Sequence, residues 1–445
     1  MAAGFVALIP EQALPTLRVT LSLSSNKARM TVSQPLEDVR AQYEALPYPA
    51  RDPRDEAIRL ITGTPSHILE INHYLYSGRL NFSRPFRALV AGGGTGDACI
   101  MLAQQMVDRR CPGEVVYLDL SEASRRVCEA RAKARGLRNI RFLTGSLLDL
   151  PALAVGQFDY IDCTGVLHHL PDPQTGMLAL SSVLQSEGGI GVMLYGEYGR
   201  SGVYPMQEML RTLAPPSMAL EDRLAMAKRL IRFLPTTNLF RRNPYLNDHV
   251  TGGDAGLYDL LLHSCDRAFT VPAIGAMAAQ CGLRVVAFLE PVRYEPATYM
   301  SDPIIARQLS ALPLLERAGF AECLAGNLRT HVFYATRAGF DTVARPEDTS
   351  AIPVLREMDA QKLAAGLQPG TPLIANLDGF PWRAQLPPLA PRIIAQIDGR
   401  KTVAEIYTAL GAHGGLPQWE DFYAQFEDLY VKLNGVNHLL LRFRT

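Results

Sequence analysis

Between Leu89 and Asp97 the chain reads LVAGGGTGD, and few stretches restrict a fold so narrowly. An apolar run ends, Gly92, Gly94 and Gly96 follow at alternate positions, and a helical pattern, ACIMLAQQM, begins at once. Glycine lets a backbone turn with positive φ and approach a ligand with no Cβ in the way. The helix behind would offer its first N–H groups to a carboxylate or phosphate. The spacing is GxGxG rather than GxGxxG, which disfavours an NAD-dependent oxidoreductase. A tight strand-to-helix turn with no ligand would use the same residues, so both readings stand at this point.

The following segments keep a regular beat. VVYLDL, the charged stretch EASRRVCEARAKARG, NIRFLTG, FDYIDCTG, a helix through MLALSSVL and the run GGIGVMLYG come in turn. Short apolar runs alternating with amphipathic helices predict βαβ units in a doubly wound α/β fold, with a mostly parallel, Rossmann-like sheet and helices on both faces. The beat lapses after Gly196 and resumes at VPAIGAMAAQCG, LRVVAFLE and THVFYATR. At 445 residues the chain is long for one domain. The expected divisions are an N-terminal extension over 1–36, a helical lid over 37–80, and the Rossmann-like domain over 81–340 with a helical insertion at 197–269. A linker over 341–358, rich in turn formers, and a small winged-helix-like domain over 359–445 complete the chain.

Each of the first four strands ends on a residue suited to a nucleoside. Asp119 closes the second strand, where an acid accepts hydrogen bonds from ribose hydroxyls; capping the next helix, with Ser121 and Glu122 just beyond, is its alternative role. Ser146 and Leu147 follow the third strand, where an adenine edge would lie. Cys163 and Thr164 end the fourth. In open α/β sheets ligands bind outside these carboxyl ends.

Taken together, LVAGGGTGD, YLDLS, NIRFLTGSLLDLP and FDYIDCTGVLHHLPDP resemble successive motifs of the class I S-adenosylmethionine-dependent methyltransferases. The resemblance runs from about Phe86 to Gly196 and, more loosely, to Thr336. It implies S-adenosyl-L-methionine as cofactor, with Gly92, Gly94 and Gly96 around the methionine part. Asp119, with Leu120 beside it, would hold the ribose, Ser146 and Leu147 would meet adenine, and Cys163 and Thr164 would lie by the sulfonium. Two departures stand out. Val90 occupies the place of an acid two residues before the first glycine, for which Asp97 is the expected substitute, and Ser146 replaces a commoner aspartate.

Methyl transfer from a sulfonium is an in-line displacement in which the protein mainly positions the acceptor and excludes water. No metal is expected, because the histidines lack ligand spacing. His168 and its neighbour His169 are candidate bases, with packing or capping as the rival role. Tyr195 is a further catalytic candidate, and with the substrate-loop residues Tyr198 and Arg200 it should overhang the pocket or, equally, anchor the insertion. Tyr43, Tyr48, Asn72 and Tyr74 are the expected lid residues. The segment from Trp382 to Gly411 is similar to PqqD-like winged-helix domains, which would suit a protein or peptide acceptor; a small-molecule acceptor, or a non-catalytic binding protein on the same scaffold, are the alternatives.

Basic and acidic side chains number 44 each, for a net charge of zero, which argues against nucleic acid or a membrane surface as partner. A plain dimerisation role for the tail domain, giving a homodimer, is the alternative to peptide recognition. Seven scattered cysteines without a CxxC pair suggest a reducing compartment, hence a cytoplasmic location. MAAGFVALIP lacks a basic n-region, so a secretory signal is not expected. The basic residues up to Met30 would also suit a transit peptide or an upstream start.

Overall fold

A computed structural model describes residues 33–367, 372–411 and 417–445. Most of the expected extension over 1–36 lies outside these residues. The described chain opens with α1 (Ser33–Ala45) and α2 (Ile68–Leu75). The alternating core follows: β1 (Phe86–Ala91), α3 (Asp97–Asp108), β2 (Gly113–Asp119), α4 (Glu122–Arg135), β3 (Ile140–Thr144), β4 (Phe158–Thr164), α5 (Pro173–Ser182) and β5 (Leu184–Tyr195). Local chemistry fixes several ends. Ser121 caps α4 by accepting from Ser124 N–H, and Gly136, at φ 68, ends it. Pro173 opens α5 behind the capping Asp172.

The insertion holds α6 (Val203–Leu213), α7 (Leu220–Arg232), the short α8 (Leu239–Arg242) and α9 (Asp248–Thr251), and α10 (Gly253–Leu261). The sheet then resumes with α11 (Val271–Gln280), β6 (Arg284–Phe288), α12 (Pro303–Ser310), α13 (Leu314–Ala325) and β7 (Thr330–Thr336).

Together the strands form one seven-stranded sheet in the order β3-β2-β1-β4-β5-β7-β6. β7 runs antiparallel to both its neighbours, and the pairs from β3 to β5 are parallel. This is the expected doubly wound, mostly parallel α/β fold. Apolar side chains on both faces bury β1, as a parallel strand covered by helices requires. The chain leaves β1 toward β2 on one side and returns to β4 on the other, so a crevice opens above β1 and β4. Among the described residues no helix is long and apolar enough to cross a membrane.

The tail comprises β8 (Ile352–Leu355), α14 (Ala360–Gly366), β9 (Pro372–Leu377), β10 (Phe380–Gln385), α15 (Ala390–Gln396), α16 (Val403–Gly411), α17 (Trp419–Gly435) and β11 (Leu439–Arg442). Its core gathers Ile393, Ile406, Phe422, Phe426 and Leu441. Two expectations need correction here. The segment read as a linker over 341–358 contains β8, which pairs antiparallel with β11, and its Ala344 and Ala351 are buried in the tail core. The segment 37–80 is not all lid: α2 lies beneath the tail. There His73 Nδ1 accepts from Leu441 N–H at 2.9 Å, and Tyr74 donates to Asn437 Oδ1 at 3.1 Å.

Candidate functional site

The carboxyl ends of β1, β2, β3 and β4 open on a cavity of about 340 Å³, within the range of small-ligand sites. The glycine loop forms its floor. Gly92, Gly94 and Gly96 all have positive φ, at 79°, 51° and 104°. A Cβ at Gly92 would lie 2.2 Å from Val166 Cγ2, and one at Gly96 2.3 Å from Cys128 Sγ, so no side chain fits at either position. α3 starts at Gly96 without a side-chain cap, which leaves its first N–H groups to be satisfied from outside the helix.

Asp119 stands at the rim of the loop. Its Oδ2 accepts from Gly94 N–H at 2.7 Å and its Oδ1 from Ser121 N–H at 2.8 Å. The Leu120 main-chain amide adds a third donor, and a carboxylate has room for about four, so one position remains toward the cavity that Asp119 lines. Burial pushes its pKa up. The capping role and a ligand role thus coexist. Leu120, Ser146 and Leu147 line the cavity as expected; Ser146 Oγ also accepts from Leu148 N–H at 3.1 Å.

On β4 the alternation of side chains separates neighbours. Asp162 and Thr164 line the cavity, while Cys163 between them turns into the helix-covered core, where burial raises its thiol pKa. Cys163 is therefore corrected from a contact to a core residue. Asp162, which the sequence offers beside the two histidines with packing or capping as its rival role, faces the cavity. Its Oδ2 accepts from Ser66 Oγ at 2.7 Å and from Thr164 Oγ1 at 2.9 Å.

Tyr43, Tyr48 and Pro49 roof the cavity. The roof is tied down at several points. Thr95 Oγ1 donates to Pro49 O at 2.7 Å, and Glu44 accepts the N–H groups of Glu122 and Ala123 at the head of α4. Arg51 grips Asp97 through Nε at 2.9 Å and Nη2 at 2.6 Å, while Arg131 Nη1 donates to Asp97 Oδ1 at 2.7 Å. Asp97 lines the cavity, but two guanidinium groups already hold its carboxylate, so it is not free to replace the acid absent at Val90. Asn72 and Tyr74 do not reach the roof. Asn72 Oδ1 accepts from Leu80 N–H at 2.8 Å, and both side chains are buried in α2.

Beyond Thr164 the cavity ends in a polar, aromatic chamber of Tyr43, Tyr48, Tyr195, His169 and Asp259. Asp259 comes from α10, in the insertion, and no local sequence pattern marked it. Tyr43 donates to its Oδ1 and Tyr195 to its Oδ2, both at 2.9 Å. Burial holds both phenols well above their usual pKa, so they remain donors.

The two histidines part company. His169 lines the chamber, and its Nδ1 is 2.9 Å from Cys265 O. A carbonyl can only accept, so Nδ1 carries the proton and Nε2 keeps a lone pair. That Nε2 lies 3.9 Å from Asp259 Oδ1. His168 instead stacks on the Tyr195 ring at 3.7 Å, fully buried with neither nitrogen partnered, and burial depresses its pKa far below the usual value. It is corrected from catalytic candidate to packing residue. Arg200 lies 3.5 Å from the centroid of the same Tyr195 ring and pairs with Asp266 at 3.0 Å, so it supports the chamber wall from behind. Tyr198 is exposed, 3.7 Å from Cys323, and does not line the cavity.

Among the described residues, one group of metal-ligand types gathers: His169, Asp259 and His263, with ligand atoms within 4.8 Å of one another. Sequence spacing could not have shown it. His263 Nδ1 accepts from Cys265 N–H at 3.1 Å, which puts the ring proton on Nε2 and leaves no lone pair free for an ion.

Residues 89–190 match the family model described as "Methyltransferase domain". An uncharacterized protein of Synechococcus is 27% identical over 310 residues, 67% of this chain and 71% of its own length. The demethylmenaquinone methyltransferase of Geobacillus kaustophilus is 35% identical over 116 residues, 26% of this chain. The chain thus spans about half the length of that enzyme, 47%. Among solved structures, PKMT2 from Rickettsia typhi in complex with AdoHcy superimposes with a TM-score of 0.62 at 16% identity, covering 87% of this chain and 76% of that one. At that identity the likeness speaks to the fold. The matched segment spans β1 to β5 with the glycine loop at its head, so this part of the chain is similar to a methyltransferase domain.

Proposed function

We propose that this protein transfers a methyl group from S-adenosyl-L-methionine to a heteroatom of an acceptor that enters the chamber of Tyr43, Tyr48, Tyr195, His169 and Asp259. The observation that supports this most is the juxtaposition, in one cavity, of a side-chain-free glycine floor, the Asp119 carboxylate and that chamber. S-adenosyl-L-methionine, when bound, supplies a methyl group already activated on a sulfonium.

The residues present fit such a group. The Gly92–Gly96 loop would take the amino-acid tail, the open position of Asp119 a ribose hydroxyl, and Ser146 with Leu147 the adenine. Thr164 and Met193 line the passage toward the chamber. There the protein's task is to orient the acceptor, exclude water and take up a proton. His169 Nε2 is suited to the last of these, since its lone pair is fixed by the Cys265 carbonyl and Asp259 stands by to stabilise the charged ring. The acceptor is read as a protein or peptide side chain, for which the docked tail could supply a surface; a small molecule would need only the chamber.

Calorimetric titration with S-adenosylhomocysteine tests the donor half. Asp119→Ala should weaken binding at least tenfold, the equivalent of about 1.4 kcal/mol. Absence of binding to the unaltered protein would refute the reading. Incubation with donor labelled in the methyl group and cell extract, followed by location of the label, then tests transfer and identifies the acceptor.

A further inference from the structure

The acid that would stand two residues before the first glycine is absent, because Val90 is there. β1 and β4 are adjacent and parallel, and Val90 pairs in register with Asp162. Residues in register on parallel strands present their side chains to the same face of the sheet. Both line the cavity floor beside Gly92. A carboxylate thus lies one strand over from the position where one is missing.

The surroundings of Asp162 leave that carboxylate unbalanced. Ser66 Oγ and Thr164 Oγ1 both donate to Oδ2, and the Thr164 main-chain amide adds a third donor. A carboxylate accepts about four, so one position remains. No basic side chain among the described residues pairs with it, although the side chain is buried. A buried charge of this kind is costly unless a cation meets it. Asp97 differs in this respect, since Arg51 and Arg131 neutralise it, and Asp119 faces the ribose end of the cavity.

We propose that Asp162 receives the ammonium group of the donor's amino-acid tail, taking from β4 the part that an acid on β1 would play. This rests on the donor being S-adenosyl-L-methionine. Ser66, from the segment before α2, holds the carboxylate in place by its 2.7 Å hydrogen bond. The serine is thus a positioning residue, and the aspartate is the contact.

The test compares two ligands that share a nucleoside. S-adenosylhomocysteine carries the amino-acid tail; 5′-methylthioadenosine does not. Asp162→Asn should lower affinity for S-adenosylhomocysteine about thirtyfold, as loss of a charge-assisted hydrogen bond implies, and leave 5′-methylthioadenosine unchanged. Adding Val90→Asp to Asp162→Asn should recover part of the lost affinity. Equal weakening for both ligands, or no weakening for either, overturns the proposal. Binding of 5′-methylthioadenosine also reports that the variant is folded. Should Asp162→Asn fail to fold, Asp162→Glu keeps the charge and displaces it. It should weaken only S-adenosylhomocysteine, and an effect shared by both ligands counts against the proposal. If the unaltered protein binds neither ligand, it is the donor assignment that fails instead.

Discussion

A histidine works as a base only through a nitrogen whose lone pair can reach the acceptor. His169 meets that condition through Nε2, and His168, sealed behind the Tyr195 ring, does not. His169→Gln should therefore cut turnover about a hundredfold or more, the usual worth of a positioned base, without changing affinity for S-adenosylhomocysteine. His168→Gln should lower the melting temperature while turnover per folded molecule stays near that of the parent. A single-turnover assay with labelled donor, normalised by calorimetric active-site counts, checks both; the opposite pattern would remove the base from His169. The pair also shows what a sequence can and cannot reveal at this scale. Gly92, Gly94, Gly96, Asp119 and Thr164 were legible because a strand end fixes where a side chain goes. Which of two adjacent histidines faces the cavity depends on one short turn, Leu167–His169, whose geometry no local pattern encodes. Asp259 lies beyond reach for another reason: it is brought in by α10, some sixty residues after the last strand it faces.

At the scale of elements, the βα beat was readable because parallel strands and amphipathic helices each impose a period. The segment before β1 was readable only in part. Its first portion roofs the cavity, but α2 buries Glu70, Ile71, His73 and Tyr74 under the tail, a tertiary choice that an apolar helix leaves undetermined. What keeps the roof closed is an ion-pair chain from Arg51 to Asp97, on to Arg131 and Glu56, with Arg135 also on Glu56. The link from Arg51 is partly exposed, at 29% and 30% for the two side chains, so its worth is about 1 kcal/mol after screening. Arg51→Ala should accordingly speed dissociation of S-adenosylhomocysteine about fivefold and raise hydrogen exchange over residues 48–52, with the effect shrinking in high salt. Stopped-flow displacement measures the first; an unchanged dissociation rate would mean that the roof does not gate the cavity.

For the molecule as a whole, docking of the tail rests on buried polar groups that tolerate only one protonation state. Arg356 Nη1 meets Glu70 Oε1 at 2.6 Å, and Asn437 Nδ2 donates to the same carboxylate at 2.8 Å. Even so, burial outweighs the arginine and lifts the Glu70 pKa to about 7. His73 and His67 are pressed down by burial to about 3, His67 despite the Glu357 carboxylate 3.6 Å away. His168 and His263 lie far below their usual value for the same reason. Three of these four rings use a lone pair to accept a backbone N–H: His67 from Leu69, His73 from Leu441, and His263 from Cys265. Protonation at those nitrogens would break the bonds. Below pH 6.5 the unfolded chain therefore gains four protons that the native state refuses, and stability falls with pH. Glu70 and Asp162, the latter raised by burial to about 6, work in the opposite sense, because the native state takes their protons first. Among these six groups the histidines outnumber the carboxylates, and each proton that only the unfolded chain takes up lowers stability by about 1.4 kcal/mol per pH unit. Urea midpoints taken from pH 7.5 to 5 should drop steeply once the pH passes 6. His73→Gln should reduce the slope by about one proton, or about 1.4 kcal/mol per pH unit. A profile flat to pH 5 would mean that these rings are hydrated and chargeable in the native protein, and that the tail sits less tightly on α2 than its hydrogen bonds imply.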